Sequence, residues 1–496
     1  MQYSGMAVAS VPLIMSESAS GDLALEHDDL KDLLGQPLIE ELLGHAMQCG
    51  GEFAELFLEH SRGFSLTLQE SKIRAANLGY SLGAGIRVIT GDRSGYAYSD
   101  DISRNALLDA ASVAAHIASG SGSTDPRNVR EQSVRNLYKI EIPSDSVAID
   151  NKVDLVQRAD TAGHAADPRV YRVDASYYER NRRILVADTS GRMVTDDQSN
   201  QNLRVSVFLE GDSNNRQHGS YGDGGRVGME FWERITPEDL AREAVRQASI
   251  KMEASEAPSG EMPVVIGGKY GGVLLHEAIG HGLEADFNRK NLSRYSGMVG
   301  QRIAPESVTI MDAGEYEPKE WGTLNIDDEG VLTRKTVLVE RGILKGYMQD
   351  RLNARLMSKE PTGNGRRESF HHMPMPRMTN TILEPGSHDP DEIIQSVSKG
   401  FYAKVISNGQ VDISGGDFMF FVEEGYLIED GKLTTPVRGA TLIGNGPDTL
   451  SKVEMLGTDF ALAPASFVCG KSGQMVPVGI GMPTMKVSNM TVGGTS

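Results

Sequence analysis

Six consecutive residues, His276-Glu277-Ala278-Ile279-Gly280-His281, set two imidazoles and a carboxylate into one short, glycine-flanked and otherwise apolar segment. Neutral imidazoles bind metals and an adjacent carboxylate can relay a proton, so the string reads as a hydrolytic metal site. In the H-E-x-x-H pattern of zinc proteases the histidines are four apart, about 40° round an ideal helix, and share one ion. Here the spacing is five, and on a regular helix the rings would diverge by about 140°. A one-residue π-bulge would return both rings to one face, and such bulges concentrate at functional sites. Alternatively the helix ends near Gly280 or Gly282 and His281 swings in from its terminus. Either way the spacing predicts a distorted helix.

A catalytic zinc site that keeps a position open for water usually has three protein ligands. Cys469, in a short apolar run before a glycine-bounded turn (SFVCGKSG), can project a thiolate from a fixed backbone. Glu284 and Asp286, just beyond His281, are carboxylate alternatives, and local sequence leaves the choice open. His45 and Cys49 also have a clamp-like spacing, but Ile39, Leu42, Leu43, Ala46 and Met47 make that segment an ordinary amphipathic helix. Cys49 is read as a core or boundary cysteine, the usual habit of a free thiol.

Four blocks carry a resemblance: LLHEAIGHGLEAD, ESFHHMPMPRMTNT (368–381), GGDFMFFVEEGYLIEDGKLTTPVRGATLIGN (415–445) and the C-terminal CGKSGQMVPVGIGMPTMKVSNMTVGGT. In this order they resemble the TldD/PmbA family of metallopeptidases, on its TldD branch, over nearly the whole chain after about residue 35. The resemblance implies a zinc-dependent peptidase with His276, His281 and Cys469 as metal ligands and Glu277 as the catalytic carboxylate. It also implies pairing with a paralogous TldE (PmbA) subunit that lacks the metal motif, and unfolded or short peptides as substrates. Zinc held by such ligands polarises a scissile carbonyl and acidifies its water, while Glu277 takes up a proton and returns it to the departing amine. His371 and His372 are expected on a strand, pointing to opposite faces, so at most one reaches the site. His372, which aligns with the family block, is the candidate for an oxyanion or substrate contact; its plainer reading is a hydrogen-bonded structural histidine.

These residues need a scaffold, and 496 residues exceed a single ordinary core. The expected class is α+β: mixed and antiparallel sheets with helices in an N-terminal domain, and a β-rich C-terminal domain with a curved or barrel-like sheet carrying the metal helix. Residues 1–35 read as a flexible acidic lead-in, 36–255 as the N-terminal domain and 256–496 as the metallopeptidase domain, with Ala254 to Gly260 as the boundary. Helices are expected at 37–49, about 103–118 with Ser99 or Asp100 as cap, 149–165, and from Pro237 to about 252 behind Thr236. Strands are expected at 52–60, 64–70 and 81–90, broken at Arg62-Gly63, then at 169–180, 183–189 and 202–211. Further turns are expected at Arg341-Gly342, Asn408-Gly409 and Asp430-Gly431.

With 49 basic and 68 acidic residues the formal charge is −19, and no run of five or six Lys or Arg occurs. A direct nucleic-acid partner, which would need a clustered basic face, is not expected. No stretch of eighteen apolar residues proposes a membrane span, and the N-terminus lacks the charged start of a signal peptide. Two cysteines in so long a chain leave no disulfide framework, which suits a reducing cytoplasm. A peptide substrate is expected to bind extended, adding to a strand edge. The rival readings are a non-catalytic metal-containing binding or scaffold subunit, and a hydrolase of some non-peptide amide. A structural zinc wants four closed ligands where three plus a glutamate are found, which favours the enzyme.

Overall fold

The computed structural model describes residues 30–122, 125–212, 215–316, 319–464 and 467–494. Residues 1–29 of the expected lead-in lie outside these. The first helix, Leu30–Ala46, starts earlier than expected because Leu30 and Leu34 find apolar cover; the chain bends at Gly35 (φ 65°), a conformation that suits glycine.

The N-terminal half is built on one eight-stranded sheet. Its strands are longer than the turn signals implied. Phe53–Gln69 runs unbroken through Arg62-Gly63, because Gly63 stays in register with Gly79 on one side and Arg180 on the other. Val170–Asp188 likewise absorbs the expected break near 181. Paired on both edges, these glycine and arginine positions keep their ladder bonds, and tertiary pairing overrides the local turn preference. The chain reverses at Glu70-Ser71, both at positive φ, and at Gly91. Helices Arg104–Ile117, Ile149–Ala166 and Pro237–Glu253 form where expected. Ser103, rather than Ser99 or Asp100, caps the first by accepting from the Ala106 amide. Thr236 and Asp239 form a reciprocal capping box on the last.

The C-terminal half contains a five-stranded barrel. Strands Lys399–Val411, Gly260–Ile266, Met485–Gly493, Ala440–Asn445 and Asp417–Glu429 follow one another in the sheet, and pairing of the last with the first closes it. Arg341-Gly342 and Asp430-Gly431 turn their hairpins with positive φ at both positions, as a two-residue loop requires. Asn408-Gly409 does not turn: the ladder shifts register between Ile406 and Gly409, and the reversal falls at Asp412–Gly416. A second sheet runs from Ile343–Leu344 through Ile310–Ala313 and Asn380–Leu383 to Gln474–Met482, with Phe467–Lys471 folded back on the last. Between barrel and second sheet lies the histidine segment. Every residue from Gly271 to Ala285 is buried, as befits a helix apolar on all sides.

Candidate metal centre

After strand Gly260–Ile266 the chain turns into helix Gly272–Leu275, becomes a π-helical turn over His276–Gly280, and tightens to a 3-10 turn at His281–Leu283. The His281 amide donates to the His276 carbonyl, an i to i+5 bond. That extra residue brings the imidazoles together: their ring centroids are 5.1 Å apart, with planes at 85°. The distortion the spacing demanded is present, and the helix also ends here. Neighbours leave no room for larger residues: a Cβ on Gly280 would strike the Met378 sulfur, and one on Gly282 would meet the Tyr295 ring at 2.7 Å.

Cys469 arrives from strand Phe467–Lys471. One ligand atom each from His276, His281 and Cys469 lies within 4.8 Å of the others, and among the described residues this is the one such cluster. His45 bonds Ser112 instead (2.7 Å), and with Cys49 it builds no second cluster. The Arg377 guanidinium clamps the cysteine strand by donating to the Cys469 carbonyl at 2.5 Å.

Glu284 and Asp286, the alternative ligands, stand behind the cluster. Glu284 Oε2 lies 3.1 Å from His281 Nδ1 and 3.0 Å from Lys471 Nζ, which also bonds Asp286 at 2.8 Å. Such a carboxylate directs the ring's other nitrogen, Nε2, at the cluster, where it meets the Cys469 sulfur at 3.3 Å. Although burial alone would raise it, Lys471 and His281 bring the Glu284 carboxyl down to about 2. Burial likewise would raise the Cys469 thiol, but His281, Arg377 and His276 outweigh it and hold the thiol well below its ordinary range. Glu277 experiences the reverse: burial raises its carboxyl above the usual range against the pull of both histidines.

The donors fit a cation. Both ring nitrogens of His276, and Glu277 Oε2, are buried without a hydrogen-bond partner. Buried polar groups are almost always satisfied, so three orphans facing a thiol disposed to ionise mark a place for a metal. Two nitrogens and a soft sulfur suit zinc. Glu277 Oε2 is 3.9 Å from His281 Nε2, beside the ligand atoms without being one of them.

His371 and His372 lie in a turn rather than on a strand. Both rings approach Ser369 Oγ, at 3.2 and 3.1 Å, and no hydrogen bond joins either to the cluster. The serine two and three residues upstream closes this turn by accepting from the His371 amide. Sequence reasoning passed over Lys471 and Arg377, which hold the second carboxylate and the cysteine strand; their place inside otherwise apolar blocks was the available signal.

Three stretches match models of one family: PmbA/TldA metallopeptidase domain 1 over residues 54–118, its central domain over 142–252 and its C-terminal domain over 259–494. The chain belongs to this metallopeptidase family. A metalloprotease TldD homolog of Haemophilus influenzae is 41% identical over 456 residues, covering 90% of this chain and 93% of that protein. A zinc metalloprotease TldD homolog of Saccharolobus solfataricus is 27% identical over 466 residues, covering 90% and 98%. The fold matches TldE of Thermococcus kodakarensis with a TM-score of 0.74 at 19% identity, covering 92% of this chain and all of that one. A Thermotoga maritima structure described as a putative modulator of a DNA gyrase matches equally well, at 0.74 and 21% identity, covering 92% and 99%. Among the described residues no helix is long and apolar enough to cross a membrane.

Proposed function

We propose that this chain is a zinc-dependent peptidase of the HExxxH type acting on unfolded or short peptides. His276, His281 and Cys469 are its metal ligands and Glu277 is its general base. The observation that carries this is the π-helical turn, which gathers both histidines at Cys469 and leaves the His276 nitrogens and Glu277 Oε2 without other employment. Zinc bound there would act as a Lewis acid toward the scissile carbonyl and acidify water. Glu277, its carboxyl raised by burial, accepts the proton at Oε2 and delivers it to the departing amine. Glu284 keeps His281 in the tautomer that offers Nε2 to the cluster. His372, half-exposed and bonded to Ser369, is assigned a contact with substrate rather than with the oxyanion.

Access supports a thin substrate. All three donors are at most 1% exposed, so a compact protein surface does not reach them. Strand Phe467–Lys471 is paired on one side only among the described residues, and an extended peptide can add to its other edge. The TldE fold match supports a TldE-like paralogous subunit as partner, one that helps enclose the site. The excess of acid and two free cysteines support a cytoplasmic protein without direct nucleic-acid binding. We place the division between an N-terminal 36–255 unit and the metal-bearing 256–496 unit.

Zinc stoichiometry, measured with and without a TldE-like subunit and alongside cleavage of one protein in unfolded and native form, tests the reading. One zinc per chain, lost in Cys469→Ala, with selective digestion of the unfolded form is expected. Metal without cleavage in either preparation would transfer the case to the non-catalytic subunit; equal digestion of both forms would remove the enclosed site.

A further inference from the structure

Beside the metal centre, where the N-terminal sheet meets the hairpin that carries Cys469, lies a cavity of about 20 Å³, room for one small polar group and no more, lined by Arg180, Arg182, Arg226, Arg366 and Arg367, with Glu368 at its side. Three of the five arginines are engaged with acids: Arg180 and Arg182 with Glu59, Arg182 also with Asp328, and Arg367 with Glu55. Arg226 and Arg366 make no ion pair with a described residue. Arg226 is 3% exposed; its guanidinium lies over the Tyr138 ring, 5.5 Å from the centroid, but its buried Nε and Nη1 have no hydrogen-bond partner. Arg366, equally buried, spends Nη1 on the Met378 carbonyl at 2.6 Å and leaves Nε unbonded. The acids whose charge reaches Arg226 are committed elsewhere. Asp196 accepts from Tyr138, Asn325 and Gln198, and Asp328 from Arg182 and the Arg367 amide. Burial therefore lowers both guanidinium groups from their ordinary range, Arg366 to about 9.

An unpaired buried guanidinium is costly, and two side by side are tolerated only where something else supplies the counter-charge. Buried Asn200 also lines the cavity, its Oδ1 without a donor; an acceptor of this kind offers a carboxylate nothing, so the two arginines alone carry the recognition. Its far wall includes Val476, which stands opposite Cys469 in the hairpin register. Facing residues in such a ladder are about 5 Å apart, so whatever touches Val476 is within about two residues of extended chain from the metal ligand. Half-buried Arg180, Glu368 and Met475 form the outer lining. The planar fork of a guanidinium matches a carboxylate in two parallel hydrogen bonds.

We propose that this cavity is a carboxylate subsite: it receives a carboxylate of the peptide, from a free C-terminus or an Asp or Glu side chain, one or two residues from the bond being cut. Arg226 and Arg366 bind the carboxylate. The assignment rests on the peptidase reading above.

Binding to the chelator-treated chain tests it without zinc, which would itself attract carboxylates, and without turnover. The probes are acetyl-Ala-Ala-Ala as free acid, the same peptide as its amide, and acetyl-Ala-Asp-Ala amide, each titrated calorimetrically. At least one acid should bind about tenfold or more tightly than the neutral amide; which of the two does so identifies the source. Arg226→Met should abolish the preference while unfolding no earlier than the parent, since it removes an uncompensated buried charge, and Arg226→Lys should retain part of it. Equal binding of all three peptides, or a preference unchanged in Arg226→Met, overturns the subsite. A preference for acid in a chain that cleaves nothing when zinc-loaded would leave the subsite standing and defeat the peptidase reading.

Discussion

Two of the buried clusters of charge in this molecule are finished differently. At the junction of the two halves, Glu55, Glu59, Asp328 and Glu329 meet Arg87, Arg180, Arg182 and Arg367. Each oxygen of those four carboxylates accepts a hydrogen bond: Glu55 from Arg367 and Arg87, Glu329 from Arg87 and the Arg351 amide, Asp328 from Arg182 and the Arg367 amide, Glu59 from Arg180 and Arg182. At the histidine turn, by contrast, an imidazole and a carboxylate oxygen are left without partners. The first cluster spends its charge inside the chain and fixes how the halves dock. In the proposed reading the second holds groups in reserve for a ligand. Burial of charge is common to both, and so are unbonded atoms, since Arg87, Arg182 and Arg367 each leave Nε without a hydrogen bond; what separates the clusters is that every carboxylate oxygen is satisfied in the first and not in the second.

The largest expected effect is on the reserved side. Glu277→Gln should reduce peptide cleavage by about 10²–10⁴-fold, the usual contribution of a positioned proton carrier, while zinc content and melting temperature hold. A matching fall in melting temperature would place Glu277 with the structural cluster instead. Arg87→Met makes the opposite test. It strands one oxygen each of Glu329 and Glu55, and breaking a buried pair costs about 3–5 kcal/mol, so the chain should melt roughly 5 °C or more lower in calorimetry while the molecules still folded keep their zinc. Loss of zinc with unchanged melting would collapse the distinction.

Glu284 belongs to both kinds, since it is ion-paired to Lys471 and also orients His281. Glu284→Gln should therefore lower zinc affinity by about 10–100-fold in equilibrium dialysis without eliminating binding. Unchanged affinity would mean that the His281 tautomer is set by something else.

Local sequence was most informative where a chemical requirement admitted few backbone solutions. Histidines five apart must sit on a distorted helix to share an ion, and the π-helical turn answers that demand. Thr236-Pro-Glu-Asp carries its own cap and started a helix where expected. It failed where long-range pairing decides. Nothing local to Gly63 shows that it will be held between two neighbouring strands, nor to Asn181 that it will pair with Arg62, and nothing in the His371-His372 pair shows that Ser369 will close a turn on them. Cys469 joined the ligand set through resemblance, because it stands 188 residues from His281 and only the folded second sheet brings the two to 3.3 Å. The arginines between the halves were invisible for the same reason: each pairs with an acid more than a hundred positions away, or with none.

The smallest effect concerns an acid at the margin of the paired cluster. Asp350 caps helix Arg351–Leu356, its Oδ1 accepting from the Asn353 amide at 2.8 Å. Burial and the neighbouring Glu329 carboxylate push its carboxyl up to about 7. Below about pH 4 it is protonated folded or unfolded and contributes nothing to pH dependence. From there to pH 7 the unfolded chain releases the proton that the folded chain keeps, so rising pH subtracts stability until the full cost is reached above 7. Glu284, pulled the other way to about 2, contributes stability above the ordinary glutamate range that is lost as pH falls. Asp350→Asn retains a side-chain acceptor for the cap and removes the charge. Its melting temperature should lie nearest the parent's at the acid end of the range and exceed it by about 3 °C at pH 8. A constant offset at both pH values would mean that Asp350 is ionised and paired like Glu55, and that the structural cluster reaches further than its salt bridges.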